Sequence, residues 1–182
     1  MPLDESDRVT TSGTGASGTS RPRWGYLAAA WALLFSGLHV YWALGGALGL
    51  GSSAGMELAR DPPLWFLLFG LWGVALVLLV GAALGLVLAR ARLSGLPGRL
   101  AAILGCLVGA LLLIRGIGVE LLLMTDALGV ASNVGQDQVH ASLVLWNPWF
   151  VVGGLVFALA GFQGRRDRSS LPLPRSHSGR SQ

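Results

Sequence analysis

An all-α fold, an integral membrane four-helix bundle running up-down-up-down, is what the chain predicts on three observations. Four long apolar segments, about residues 24–50, 64–89, 100–125 and 142–162, match the ~20 residues that cross ~30 Å of hydrocarbon as a helix. Of the 182 residues 53% are apolar and only 12% charged, a balance foreign to a soluble domain of this length. The third observation is that the basic residues fall in alternate connections. One membrane domain, residues 23–163, takes up most of the chain, between polar tails at 1–22 and 164–182.

All 13 Lys+Arg positions are arginine. Arg8, Arg21 and Arg23 precede the first apolar segment; Arg90, Arg92 and Arg99 stand between the second and third; Arg165, Arg166, Arg168, Arg175 and Arg180 follow the fourth. The other two connections hold Glu57, Arg60 and Asp61, and Asp126 and Asp137. By the positive-inside rule both termini and the middle connection are cytoplasmic, and the chain is a multi-pass protein of the cell membrane. Because the charge is sorted by connection and not gathered into one patch, nucleic acid is not the expected partner. Both tails are rich in Ser with Thr, Gly, Arg or Pro, which predicts disorder, their basic charge resting against anionic headgroups.

The first apolar segment begins too far from residue 1, is too long, and lacks a small-residue cleavage site beyond it, so it reads as a retained span. Trp31, Phe35, His39, Trp42 and Gly46 recur at three- and four-residue spacing and share one helical face. The second span has a start signal in Asp61-Pro62-Pro63, an N-cap acceptor followed by prolines whose missing N–H costs nothing in a first turn. The third holds Cys106, the sole cysteine, read as a small packing residue. Within the fourth, Asn147-Pro148 repeats the start signal, so that helix either begins at Pro148 or begins near Ser142 and bends at the proline.

Glycine pairs at Gly45/Gly49, Gly81/Gly85 and Gly105/Gly109 have the spacing that lets helices approach closely. With 27 glycines in the chain, about twice the usual ~7% share, packing within the bundle is the plainer reading and oligomerisation the sharper one. Among the tryptophans, Trp24, Trp65, Trp146 and Trp149 fall near the expected interfaces, as an aromatic belt requires. Trp31, Trp42 and Trp72 sit deeper, where an indole N–H needs an acceptor, and are expected to face the bundle.

Counted along the helices, His39 lies ~22 Å beyond Trp24, in the outer third of the membrane, and Arg115 lies equally deep in the third span. Glu120 follows near the outer interface, and the fourth span opens there with Trp146 and Asn147. His39, Trp42, Arg115, Glu120, Trp146 and Asn147 therefore gather at similar height as a candidate ligand-binding cluster, while the inner halves hold little polar beyond Tyr26, Ser36 and Cys106. An arginine inside a span costs roughly 2.5 to 3.5 kcal/mol on insertion scales and normally faces protein or water. Arg115 and Glu120 are ~140° apart around the helix, so Arg115 is expected to reach across the bundle, to Asn147, the face of Trp42 or Trp146, Glu120 by way of a distortion at Gly116 and Gly118, or a bound anion.

His39-x-x-Trp42-x-x-Gly45-Gly46 in the first span, with Trp146-x-Pro148 and Gly153-Gly154 in the last, resembles a family of small bacterial four-span membrane proteins, and the arginine-only, Ala-, Gly- and Leu-rich composition fits a bacterial source. The resemblance covers most of the chain except its tails. It implies the four-span fold and carries no assigned activity.

No recognised catalytic motif, metal site or cofactor site appears. Four function classes follow: a binding protein for a small amphipathic or anionic ligand; a structural or accessory subunit; a transporter component, for which the inner halves lack ionisable lining; and an enzyme, for which haem between His39 and His140 or an acid/base site of Glu120, His39 and Arg115 is conceivable. Membrane lipids are the expected partners, with a second copy or another membrane protein next.

Overall fold

The computed structural model describes residues 23–90, 95–125 and 136–169, with side chains as far as Arg166. The tails at 1–22 and 170–182, the stretch 91–94 with Arg92, and Asp126 fall outside the described residues. Helix α1 is Arg23–Ala43, and two short helices follow, α2 (Leu50–Ala54) and α3 (Met56–Arg60). The second long helix is π-helical over Phe66–Gly73 and continues as α4 (Val74–Arg90). After α5 (Gly95–Met124), α6 (Gln136–Ala141) leads through a π-helical stretch, Ser142–Trp146, into α7 (Asn147–Ser169). Four paths are long and apolar enough to cross a membrane: Arg23–Ala43, Phe66–Arg90, Gly95–Met124 and Gln136–Arg166, of 21, 25, 30 and 31 residues. The chain is thus an all-α four-helix bundle.

Several boundaries depart from the sequence expectation, each for a local reason. α1 stops at Ala43 and does not run to Leu50. Gly45 takes φ +97°, its N–H donates to the Trp42 carbonyl at 3.0 Å, and the Gly46 N–H donates to the Tyr41 carbonyl at 2.9 Å. That is a Schellman stop, and it needs a residue free to turn left-handed. Gly45/Gly49 therefore ends a helix; it is not a helix-packing pair.

The second span begins just after Pro63, whose carbonyl accepts from Phe66 at 2.9 Å and Leu67 at 3.1 Å. Asp61 does not cap it: its N–H closes α3 on the Glu57 carbonyl. Of the two readings of Asn147-Pro148, helix passes through both residues, and the π stretch Ser142–Trp146 stands immediately before them. A mid-helix proline supplies no N–H and crowds the carbonyl four residues back; a widened turn there accommodates both effects. α7 continues past Phe162 to Ser169, so the last helix outruns its predicted end.

Small residues assemble the bundle in two pairs. Along α1 and α4, a Cβ added to Gly25 would lie 2.6 Å from the Ala89 nitrogen, and one on Gly85 would lie 2.7 Å from the Ala29 nitrogen. Along α5 and α7, a Cβ on Gly109 would lie 2.6 Å from the Ala158 nitrogen, and one on Gly154 would lie 2.9 Å from the Gly109 carbonyl oxygen. In hydrocarbon, where lipid tails are as apolar as leucine, such backbone approach is what holds helices together. Ser36 adds a buried tie within the first pair, its hydroxyl donating to the Ala75 carbonyl at 2.9 Å.

The two pairs meet chiefly through rings. Trp31 of α1 is buried, stacks on Trp149 of α7 at 5.6 Å, and meets Phe157 edge-on at 6.3 Å. Its indole N–H donates to the Trp149 carbonyl at 3.1 Å. Trp31→Phe should lower the unfolding free energy in detergent by about 1–2 kcal/mol, one hydrogen bond plus part of a ring contact. An unchanged denaturation midpoint would deny this bond any net stability.

The outward surface is apolar along the spans, with Leu34, Phe69, Val77 and Ile114 all largely exposed, the pattern of a lipid-facing wall. Trp24, Tyr26, Tyr41 and Trp65 are exposed nearer the helix ends, where amphipathic rings suit headgroups. Three tryptophans depart from their expected roles: Trp149, expected in the belt, packs against the core and stacks on Trp31. Trp146 is buried in the bundle and not in a belt, while Trp72 is 42% exposed, carried outward on the π-helical start of the second span.

Candidate functional site

The end of the bundle where α1 and α5 finish and the fourth span begins gathers the polar side chains. Helical spacing on α1 turns Phe35, His39 and Trp42 to one buried face. His39 packs edge-on against Phe35 at 4.7 Å and Trp42 at 5.0 Å. Its Nδ1 lies 2.9 Å from the Phe35 carbonyl. A carbonyl can only accept, so Nδ1 carries a proton in this contact. Trp42 meets Trp146 at 5.8 Å. Its own indole N–H donates to the Leu48 carbonyl at 2.8 Å, which pins the loop after α1 over this end.

On the α5 side, Asn147 stands between two charged groups. Only 1% exposed, it donates from Nδ2 to Glu120 Oε2 at 2.9 Å and accepts at Oδ1 from an Arg115 guanidinium nitrogen at 3.5 Å. The first is a good charge-assisted bond; the second lies at the edge of bonding distance. The Arg115 guanidinium also lies over the Phe150 ring, 4.9 Å from its centroid. Arg115 thus reaches Asn147, an expected partner, and meets Glu120 through Asn147, but the aromatic face it covers is Phe150 and not the expected Trp42 or Trp146.

Phe150 joins the two halves of the cluster. It sits 5.6 Å from Phe35, so rings run without interruption from Arg115 through Phe150, Phe35, His39 and Trp42 to Trp146. All the candidate residues belong to this one connected set. Sequence reading passed over Phe150, although its spacing of three from Asn147 and four from Trp146 places it on their side of the helix.

Two donors in the cluster lack acceptors: the indole nitrogens of Trp146 and Trp149 are buried without a hydrogen-bond partner. Such groups are rare enough in proteins to ask for a reason. Among the described residues no group of three or more His, Cys, Asp and Glu side chains converges as a metal site. His140, on α6, is exposed, whereas His39 is buried. The donor set is therefore guanidinium, amide, carboxylate, imidazole and indole on an aromatic floor, suited to binding a polar group at the edge of an apolar phase.

Fold and site together define a small helical membrane-type bundle with four potential spans and a polar aromatic cluster at one end. Residues 32–157 match the family described as protein of unknown function (DUF3995), and since the match covers more than half of the chain, the protein belongs to that family. The matched stretch contains every candidate residue, from His39 to Asn147. Neither the curated proteins nor the solved structures contain a match to the chain.

Proposed function

We propose that the protein is a membrane-embedded binding protein whose cluster of His39, Trp42, Arg115, Glu120, Trp146 and Asn147 takes a small amphipathic or anionic ligand from the outer half of the cell membrane. The observation that carries this reading is Arg115: an arginine within a span, exposed at the protein surface, whose hydrogen bond to Asn147 is 3.5 Å long. A guanidinium has five N–H donors, and a charge at that depth needs a counter-group. The unpartnered indole donors of Trp146 and Trp149 favour the same conclusion, since a ligand bearing acceptors would satisfy them.

Charge supports the placement in the outer half. Arg23, Arg90, Arg99, Arg165 and Arg166 lie at the end opposite the cluster, where Arg90 also covers the Tyr26 ring at 5.7 Å. Glu57, Asp61 and Asp137 share the cluster's end with Arg60. The positive-inside rule then puts the arginine-rich end in the cytoplasm.

A structural role is the second reading, favoured by the burial of Asn147 and its contacts with both charged neighbours, a network able to fix helix register by itself. Native mass spectra of protein released from nanodiscs separate the two. Wild type should carry a bound mass that Arg115→Leu loses at matched helicity and elution volume. Bare spectra for both proteins would leave the structural role.

A further inference from the structure

We propose that Arg115, Asn147 and Glu120 form the headgroup site of an amine-bearing zwitterionic phospholipid, with Arg115 taking the phosphate and Glu120 the ammonium. This deepens the binding reading above and rests on it. A bilayer supplies few anions at the height of a span's outer third, and the lipid phosphate is the abundant one. A guanidinium matches it with paired donors. The Arg115 guanidinium carbon lies 4.9 Å from the Phe150 ring centroid, a cation–π contact that helps hold the group in place.

Room and apolar surface lie beside the charge. Gly118, one turn further along α5, would have nothing within 4 Å of an added Cβ. On the turn before Arg115, Leu111 and Ile114 are 66% and 70% exposed, a surface for an acyl chain running toward the bilayer centre. A headgroup drawn slightly inward to Arg115 resembles the local thinning that intramembrane arginines produce.

Glu120 gives the site its selectivity. Arg115 alone would favour any phospholipid, most of all one with net negative charge. Glu120 is half-buried and receives one hydrogen bond from Asn147, whereas a carboxylate can accept about four. It repels phosphatidylglycerol and attracts a primary ammonium. A quaternary choline has no N–H to donate and forfeits that bond.

The test uses the full-length protein in nanodiscs of equal phosphatidylethanolamine, phosphatidylcholine and phosphatidylglycerol, with retained lipids read by native mass spectrometry. Wild type should retain phosphatidylethanolamine about tenfold over phosphatidylglycerol. Glu120→Gln keeps the acceptor for Asn147 and should keep lipid adducts while bringing that ratio to one or below, as Arg115 alone favours the anionic lipid. Arg115→Leu should lose adducts of all three lipids; should it not fold, the wild-type preference and its loss in Glu120→Gln still decide. Equal retention of the three lipids by wild type, or a preference for phosphatidylglycerol, overturns the proposal. A non-lipid mass that depends on Arg115 overturns the lipid assignment but leaves the binding reading standing, whereas no bound mass of any kind removes both.

Discussion

Gly109→Leu is expected to separate α5 from α7 and to be the most damaging single substitution in the bundle. A Cβ at this position would meet the Ala158 nitrogen at 2.6 Å and the Gly154 carbonyl oxygen at 2.8 Å. Both are backbone atoms of the facing helix, so no rotamer change makes room. Overpacking in a dense core costs about 1–3 kcal/mol even where side chains can give. Here the two helices must move apart, which also lengthens the reach from Asn147 to Arg115 and Glu120. The substitution should abolish a cooperative unfolding transition in detergent. Gly37→Ala is the control, because nothing lies within 4 Å of a Cβ there, and helix propensity alone predicts no loss. Similar transitions for the two variants would contradict backbone-to-backbone packing as the source of stability.

The same close approach explains what could and could not be read from the chain. Membrane spans are legible because hydrocarbon demands length and apolarity from each segment independently, so all four emerged from one-dimensional counting. Glycine is ambiguous in such a sequence. Gly81/Gly85 and Gly45/Gly49 have the same spacing, yet Gly85 lies against α1, while Gly45 turns left-handed and ends that helix. The difference is a backbone angle, which spacing does not encode.

The candidate cluster was legible for a related reason. Polar groups in a span are costly, so few are present, and their common height on the first, third and fourth spans was enough to bring His39, Arg115 and Asn147 to one end of the bundle. What spacing could not reveal was rotation and register between helices. Trp72 was expected to face inward on account of its depth, but the π-helical turn around it changes the residues per turn and leaves it outward. Trp146 was placed in a belt by its sequence position, though the fourth helix starts at Gln136 and carries it inside the bundle. Phe150 was missed because an apolar ring in an apolar helix has no distinguishing signal until a cation is found over it.

Truncating Asn147 should divide its two charged neighbours into unequal partners. A double-mutant cycle of Asn147→Ala with Glu120→Ala is expected to give a coupling of about 1.7 kcal/mol, the upper end for interhelical hydrogen bonds in membranes, because that contact is 2.9 Å and Asn147 is buried. The cycle with Arg115→Ala should fall below the ~0.6 kcal/mol average, because that contact is 3.5 Å and the arginine is exposed. The inequality matters more than either value. If Asn147 holds Glu120 firmly and Arg115 weakly, it acts as a bracket for the carboxylate and leaves guanidinium donors available to something outside the protein. Comparable couplings would mean that the three residues satisfy one another, and the cluster would then be a device for helix register. Both cycles can be measured by denaturation in lipid-free detergent, before any ligand is known, because they report on the protein's own bonds.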